Sequence, residues 1–321
     1  MSGLTPPQSA PAPELKAGDA YEGQIDEGQI DEGELVSPLV RGLRPFEPEW
    51  YGAQPEHYFR KLRPGIEGFP WGTIDRSQFE PKLLKRAQLS WTEAAFNEYC
   101  TAVAFTQLVQ ALLEVNAPVD LTAMAGDFLA DEMLHVELTA RLATELGGAA
   151  NYTVDFTTLQ IPLDEALTPF QRANELVVRL CCVGEAFSLP MLAGCMQSAT
   201  HPLIKQVFEQ IVKDEALHGR LGFLYLEWAD EHLDDEERDR LGRCAGETVL
   251  QLSPLWRRLK SEVRDGKTSE GYRVEDIRAL GWMLSSDYRE TARESIQREV
   301  AEPLAAFGIK IPAAMMEEAL S

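Results

Sequence analysis

Basic residues are scarce in this chain. Lys and Arg number 30 against 52 Asp and Glu, for a formal net charge of −22. A surface of that sign repels phosphate backbones and anionic lipid headgroups, so neither nucleic acid nor a membrane surface is an expected partner. Cysteine is sparse as well. The five, Cys100, Cys181, Cys182, Cys195 and Cys244, form no CxxC pair, and their odd number argues against a disulfide framework and for a reducing compartment. No uninterrupted apolar run reaches the roughly 18 residues needed to span a bilayer, and no basic n-region precedes an apolar h-region at the N-terminus. The expected location is therefore cytoplasmic.

Histidine numbers only five, yet two of the five occupy the same frame. Asp131-Glu132-Met133-Leu134-His135 is written again as Asp214-Glu215-Ala216-Leu217-His218. Positions i and i+3 share a helix face, so each Glu-x-x-His presents a carboxylate and an imidazole to one spot. With 45% apolar content over 321 residues the chain can bury a large core around such a pair of half-sites.

The rest of the chain reads as one all-α domain with an N-terminal extension. Residues 1–40 are rich in Pro, Gly and acids and repeat Gly-Gln-Ile-Asp-Glu at 23–27 and 28–32. They have too little apolar surface to offset ordering entropy, and disorder is the expectation. Residues 41–88 form an irregular arm of mixed Pro and aromatic residues packing on the helical body. The helical domain then runs from 89 to 321. Its first helix is expected to start near Ser90, where Ser90-x-x-Glu93 spells a capping box, and to reach Val115. A second spans Asp120 to Leu146 and stops at Gly147-Gly148. After a crossover with short β-like runs at 152–154 and 159–161, a third begins at Thr168-Pro169, with Gln171 completing a capping box, and contains Pro190. A fourth follows Thr200-His201-Pro202 and ends near Glu231. Accessory helices occupy about 233–308, the first capped at Asp234 or Asp235 and continuing to about Val263.

Two further glutamates fall level with the repeated frames. In a helical hairpin, residues equidistant from the turn lie at one height. The pair Glu98 and Glu132 has its midpoint at 115, and the pair Glu185 and Glu215 has its midpoint at 200, each at a turn. Glu175 would sit roughly 15 Å away along the axis at about 1.5 Å per residue. Both Glu98 and Glu185 lie in apolar stripes, where an acid is costly unless it is paired or bound to metal. Four carboxylates and two imidazoles suit two divalent ions such as iron or manganese. The Asp before each glutamate completes the pattern, since a ligating His commonly gives its other ring N–H to a carboxylate. Asp131 is expected to face His218, and Asp214 to face His135.

One Glu followed by Glu-x-x-His, twice over, at Glu98, Glu132, His135, Glu185, Glu215 and His218, resembles the ferritin-like di-iron carboxylate superfamily across about residues 90–231. The resemblance implies a four-helix bundle of two hairpins joined by a long crossover, with two Fe ions, or a Mn/Fe pair, held by those six residues. Glu98 and Glu185 would be terminal ligands, Glu132 and Glu215 bridges. It implies an oxidoreductase that uses O2 on a small-molecule substrate. The absence of a flavin or dinucleotide fingerprint calls for a separate electron donor, and a homodimer is an admissible assembly. The alternative within the superfamily is an iron-handling or peroxide-reducing protein, and a bundle keeping a metal for stability alone is a third reading. No CxxC exists for a rubredoxin-type centre, and Ile211 stands where arylamine N-oxygenases carry an additional histidine. Ser188, one turn after Glu185, is a candidate hydrogen-bond donor at the site, whereas Cys181 reads as a packed core thiol. Gly184, Gly219 and Gly222 are compatible with either a pocket or close helix packing.

Overall fold

The computed structural model describes residues 43–63 and 65–321. The tandem repeat and the rest of the 1–40 segment lie outside the described residues. A short strand, β1 (Leu43–Pro45), leads into helix α1 (Ala53–Leu62), which buries none of its residues. The expected irregular arm thus contains a helix. Helix α2 then runs Pro81–Glu114. Its start at Pro81 and not near Ser90 follows from proline at the first helical position, with Leu83, Ala87 and Trp91 continuing the buried stripe back from Ala95. Ser90 is interior to the helix, and the capping box spelled there does not cap.

The chain turns at Asn116, whose φ of 52° is left-handed, and returns as α3 (Val119–Glu145). Gly147 and Gly148, both at φ 122°, end it as expected. In the crossover β2 (Thr153–Asp155) pairs antiparallel with β1, Arg44 opposite Val154, and Phe46 and Val154 pack against Ala95 and Val136 of the α2–α3 hairpin. Residues 159–161 form no strand.

Helix α4 (Pro169–Leu176) opens with the expected capping box between Thr168 and Gln171. It passes into a π-helical stretch, Val177–Glu185, and then into α5 (Ala186–Ser198), which contains Pro190. Pro169–Ser198 is one 30-residue helix with a mean hydropathy of 1.7 in its most apolar window, long and apolar enough to cross a membrane by length and composition, yet 61% of that window is buried inside the protein. Arg179 and Glu185 interrupt the run, so the sequence shows no continuous apolar span there. Helix α6 (Pro202–Ala229) completes the second hairpin, with His201 accepting from the Leu203 N–H at its start.

Asp234 caps α7 (Asp235–Leu252), which stops well short of Val263 because Pro254 begins a separate turn, α8 (Pro254–Arg257). A small hairpin of β3 (Val263–Arg264) and β4 (Lys267–Thr268) leads to α9 (Val274–Ala279). Helix α10 (Ser285–Ser295) runs through a second π stretch, Ile296–Ala301, into α11 (Glu302–Ala306), and α12 (Ala313–Leu320) closes the chain.

The core is divided in a way that locates the site. One apolar cluster gathers Phe105, Leu108, Phe128, Leu176, Val178, Leu221, Tyr225 and Trp256. Another gathers Leu83, Trp91, Leu138, Leu142, Leu203, Val207 and Phe208. Going along α2, α3 or α6, the chain leaves one cluster and enters the other. The repeated frames and Glu98 fall at that change.

Candidate metal centre

Glu98 and the first frame come from the α2–α3 hairpin, Glu185 from the end of the π stretch, and the second frame from α6. Their side chains meet. Glu98, Glu132, His135 and Glu215 bring one donor atom each within 4.8 Å of one another, as do Glu185, Glu215 and His218. Glu175, placed away by the height argument, instead pairs with Arg179 and Arg240.

Both imidazoles point Nδ1 inward. His135 Nδ1 lies 3.2 Å from Glu215 and 3.8 Å from both Glu98 and Glu132. His218 Nδ1 lies 3.0 Å from each of Glu132 and Glu215. Glu132 and Glu215 therefore sit between the two rings, whereas Glu98 approaches only the His135 side. The outward nitrogens meet the aspartates of the opposite frame: His135 Nε2 is 3.4 Å from Asp214, and His218 Nε2 is 3.5 Å from Asp131. The cross-frame contacts expected from the sequence are those found. Phe128, with ring centroids 4.1 Å apart, and Phe105 wall off His218.

The cluster is chemically incomplete as a set of protein groups. Glu132 Oε1 and Oε2, His135 Nδ1, Glu215 Oε2 and His218 Nδ1 are buried, yet none makes an aligned hydrogen bond. Buried polar atoms in native proteins are nearly always satisfied. Among the described residues two other buried side-chain atoms are left so, Arg63 Nε and Trp91 Nε1, but these five converge on one small space and are carboxylate oxygens and imidazole nitrogens, donor types that suit a divalent metal ion.

Electrostatics say the same. Burial lifts the Glu98 carboxyl to about 7, with the nearby His135 imidazole compensating in part. Burial, then the charges of Glu215 and Glu132, push Glu185 well above the carboxylate range. Burial opposes charge on His218, but contacts to Asp131, Glu132 and Glu215 outweigh it and raise its pKa to about 12. His135 is raised in the same way, burial being overcome first by Asp214. Glu215 is held well below its ordinary value, because both histidines overcome its burial. Like carboxylates crowded together need positive charge among them, and protons supply it when no cation does. These residues fit a bound metal ion.

Ser188 donates its hydroxyl to the Glu185 carbonyl oxygen at 3.1 Å, so it serves the helix next to Pro190 and not the cluster. Cys181 is buried, and burial followed by Cys182, Glu185 and Glu132 keeps its thiol protonated. The glycines resolve toward close packing. A Cβ on Gly222 would fall 2.6 Å from Cys182 Sγ and 2.9 Å from Cys181 Cβ, and one on Gly219 would fall 3.4 Å from Ala186 Cα. A groove of about 760 Å³ lies under the arm, lined by Phe46, Trp50, Phe59, Tyr99, Met133 and Val136 among others. Tyr99, Met133 and Val136 each adjoin a cluster residue in the chain, but the cluster does not line the groove. Glu98 is the least covered of the six, with 17% of its side chain exposed.

Two residues at the site have no counterpart in the sequence reading. Gln210 donates to Asp214 at 2.7 Å; it stands one turn before Asp214, a spacing that was there to be read. Arg63 contacts Asp131 at 2.5 Å from a distant part of the chain, and no sequence signal connects the two. Compared with family models the chain matches none, and compared with curated proteins it shows no significant sequence similarity.

Proposed function

We propose that the chain is a ferritin-like di-iron oxidoreductase that uses O2 to oxygenate or oxidise a small organic substrate. The observation that carries this is the convergence of buried, unbonded carboxylate oxygens and imidazole nitrogens of α3 and α6, joined by Glu98 of α2 and Glu185 of the π stretch in groups that could hold metal. Glu98 and His135 would hold one ion, Glu185 and His218 the other, with Glu132 and Glu215 shared between them. The ions supply the redox equivalents and the affinity for O2 that no protein side chain has.

The chain's own contribution is positioning, exclusion of water and control of protons. Asp131 and Asp214 hold each imidazole at Nε2 and leave Nδ1 free to ligate. Phe105 and Phe128 exclude water on the His218 side. On the other side Glu98, the most open of the six, is where a substrate would come nearest and where a proton can be held or released. Electrons come from a separate reductase.

Anaerobic reconstitution with Fe(II) followed by metal analysis tests the reading. About two ions per chain are expected, with O2 consumed once reductant is supplied. A chain that takes up none overturns it, and uptake of many ions per chain with mineral formation transfers it to iron handling.

A further inference from the structure

The two halves of the centre are supported differently. Asp214, behind His135, is held by Gln210, a neutral amide on its own helix. Asp131, behind His218, is paired by charge with Arg63, a cation brought from outside the hairpins by the N-terminal arm; the Arg63 Nε lies 2.5 Å from the carboxylate without an aligned hydrogen bond. Arg63 is the residue at which α1 ends, and its side chain is 10% exposed. Its Nη2 also donates to the Asp127 carbonyl oxygen at 2.6 Å and lies 3.2 Å from the Asp127 carboxylate, and Nη1 donates to the Leu62 carbonyl oxygen at 2.9 Å. A guanidinium buried to that degree stays where its acidic partners are, because separating it leaves charge uncompensated on both sides.

Beyond Arg63 the arm is fastened to α3 by apolar packing, with Ile66 among Leu134, Leu138 and Leu142 and Phe46 against Val136, and by polar contacts. Arg60 makes a two-pronged pair with Glu137 at 2.8 and 2.5 Å, Arg141 pairs with Glu67 at 3.0 Å, and the Gly72 N–H donates to Glu145 at 2.7 Å. Residues 137, 141 and 145 are successive turns of one face of α3, while Glu132 and His135 occupy another. Asp131 belongs to both arrangements: one carboxylate oxygen meets the arm, the other meets His218. A helix of ten residues that buries none of them is not stable by itself, so α1 depends on these contacts to stay formed.

We infer that Arg63 is a positioning residue for the His218 half of the metal pair, and that through it the docking of the arm sets the metal affinity of that half alone. The inference rests on the metal-site reading above. With Arg63 in place, Asp131 is fixed and His218 is presented with Nδ1 inward. With the arm undocked, Asp131 is a partly buried acid free to turn towards water, and His218 loses its orientation. Coupling of this kind is reciprocal, so a metal at His218 holds the arm down by the same factor by which the arm tightens the metal.

Anaerobic titration with Co(II), followed by its visible absorption and by competition with a chelator, resolves the two halves. Replacing a group that orients a metal-bound histidine costs about 10- to 100-fold in affinity. Arg63→Gln is expected to weaken one of two binding steps by that factor and leave the other within about twofold, with Arg63→Lys recovering part of the loss. Added to His218→Ala, Arg63→Gln should weaken the remaining step no further; added to His135→Ala, it should weaken the step that remains. In the unsubstituted protein, Co(II) should slow amide exchange across 53–63, a measurement that decides the question even if Arg63→Gln fails to fold. Equal weakening of both steps, or none, or exchange in 53–63 indifferent to Co(II), overturns the role of Arg63 while leaving the metal centre intact. A wild-type chain that binds no Co(II) removes the metal centre itself.

Discussion

At the scale of the residue, the question is which acids are there for a metal. Glu175 and Glu185 are both buried and lie on the same long helix. Glu175 has two arginines, at 2.9 and 2.5 Å. Glu185 has other carboxylates for neighbours and is kept from ionising by burial first and by Glu215 next. Metal content separates them: Glu185→Ala should lose at least one ion of the pair, whereas Glu175→Ala should retain both and lose thermal stability instead, because Arg179 and Arg240 would each lose a partly buried partner and keep only Glu247 and Glu237 as acids. Retention of both ions by Glu185→Ala would remove that residue from the ligand set. This division was open to sequence reasoning, because distance from the turn fixes height along a hairpin and height does not depend on side-chain packing. Arg63 was not, because its partner Asp131 is far off in sequence and no periodicity relates an arm to the helix it lies on.

At the scale of the element, glycines on the two hairpins answer opposite needs. Gly222 on α6 faces Cys181 and Cys182 of the π stretch closely enough that an added methyl meets the Cys182 backbone nitrogen at 3.0 Å. Gly126 on α3 faces open space within 4 Å. Alanine gains about 1 kcal/mol over glycine inside a helix, and forcing an extra methyl into a close-packed contact costs about 1–3 kcal/mol. Thermal melts should therefore show Gly126→Ala stabilised and Gly222→Ala destabilised, and a gain at both would mean that α6 can move off the π stretch.

The widened stretch itself was not legible. Of its nine residues, Val177–Glu185, only Gly184 is a poor helix former, and it and the missing N–H of Pro190 mark the region as irregular without specifying a wider turn. The start of α2 differs from the pattern at Ser90 for another physical reason. Ser90-x-x-Glu93 has the composition of a cap, but a cap needs the preceding residue to leave the helix, and Leu83 and Ala87 keep the buried stripe running through it. The Thr168 box is real because Pro169 at the first position makes a boundary there.

At the scale of the molecule, the accessory helices are tied to the bundle by charge as well as by packing. Asn174 donates to Glu237 at 2.8 Å, Arg240 pairs with Glu237 at 2.8 Å and with Glu175, and Tyr225 donates to Asn174 at 2.8 Å. The network joins α4, α6 and α7 at the end away from the Thr200 turn. Burial opposes the Glu237 charge, but Arg240 and Asn174 outweigh it and hold its pKa below the ordinary 4.5. Its contribution is therefore complete above about 4.5 and lost as pH falls through the lower folded value. Glu237→Gln should melt lower than the parent at pH 6 and close the gap as the pH approaches 3. A constant gap would assign the network's stability to packing alone.

The frames lie where one apolar cluster gives way to the other, and this bears on cooperativity. Helices that cross from one core to another transmit unfolding between them only as well as the layer in the middle holds. A middle layer of crowded carboxylates, kept together by protons, is a weak joint, and each core can then open with little regard for its neighbour. The same layer with metal bound in it would be a cross-link among segments otherwise joined by turns and by the two apolar clusters. Metal loading would then act on the whole domain, making two neighbouring cooperative units into one.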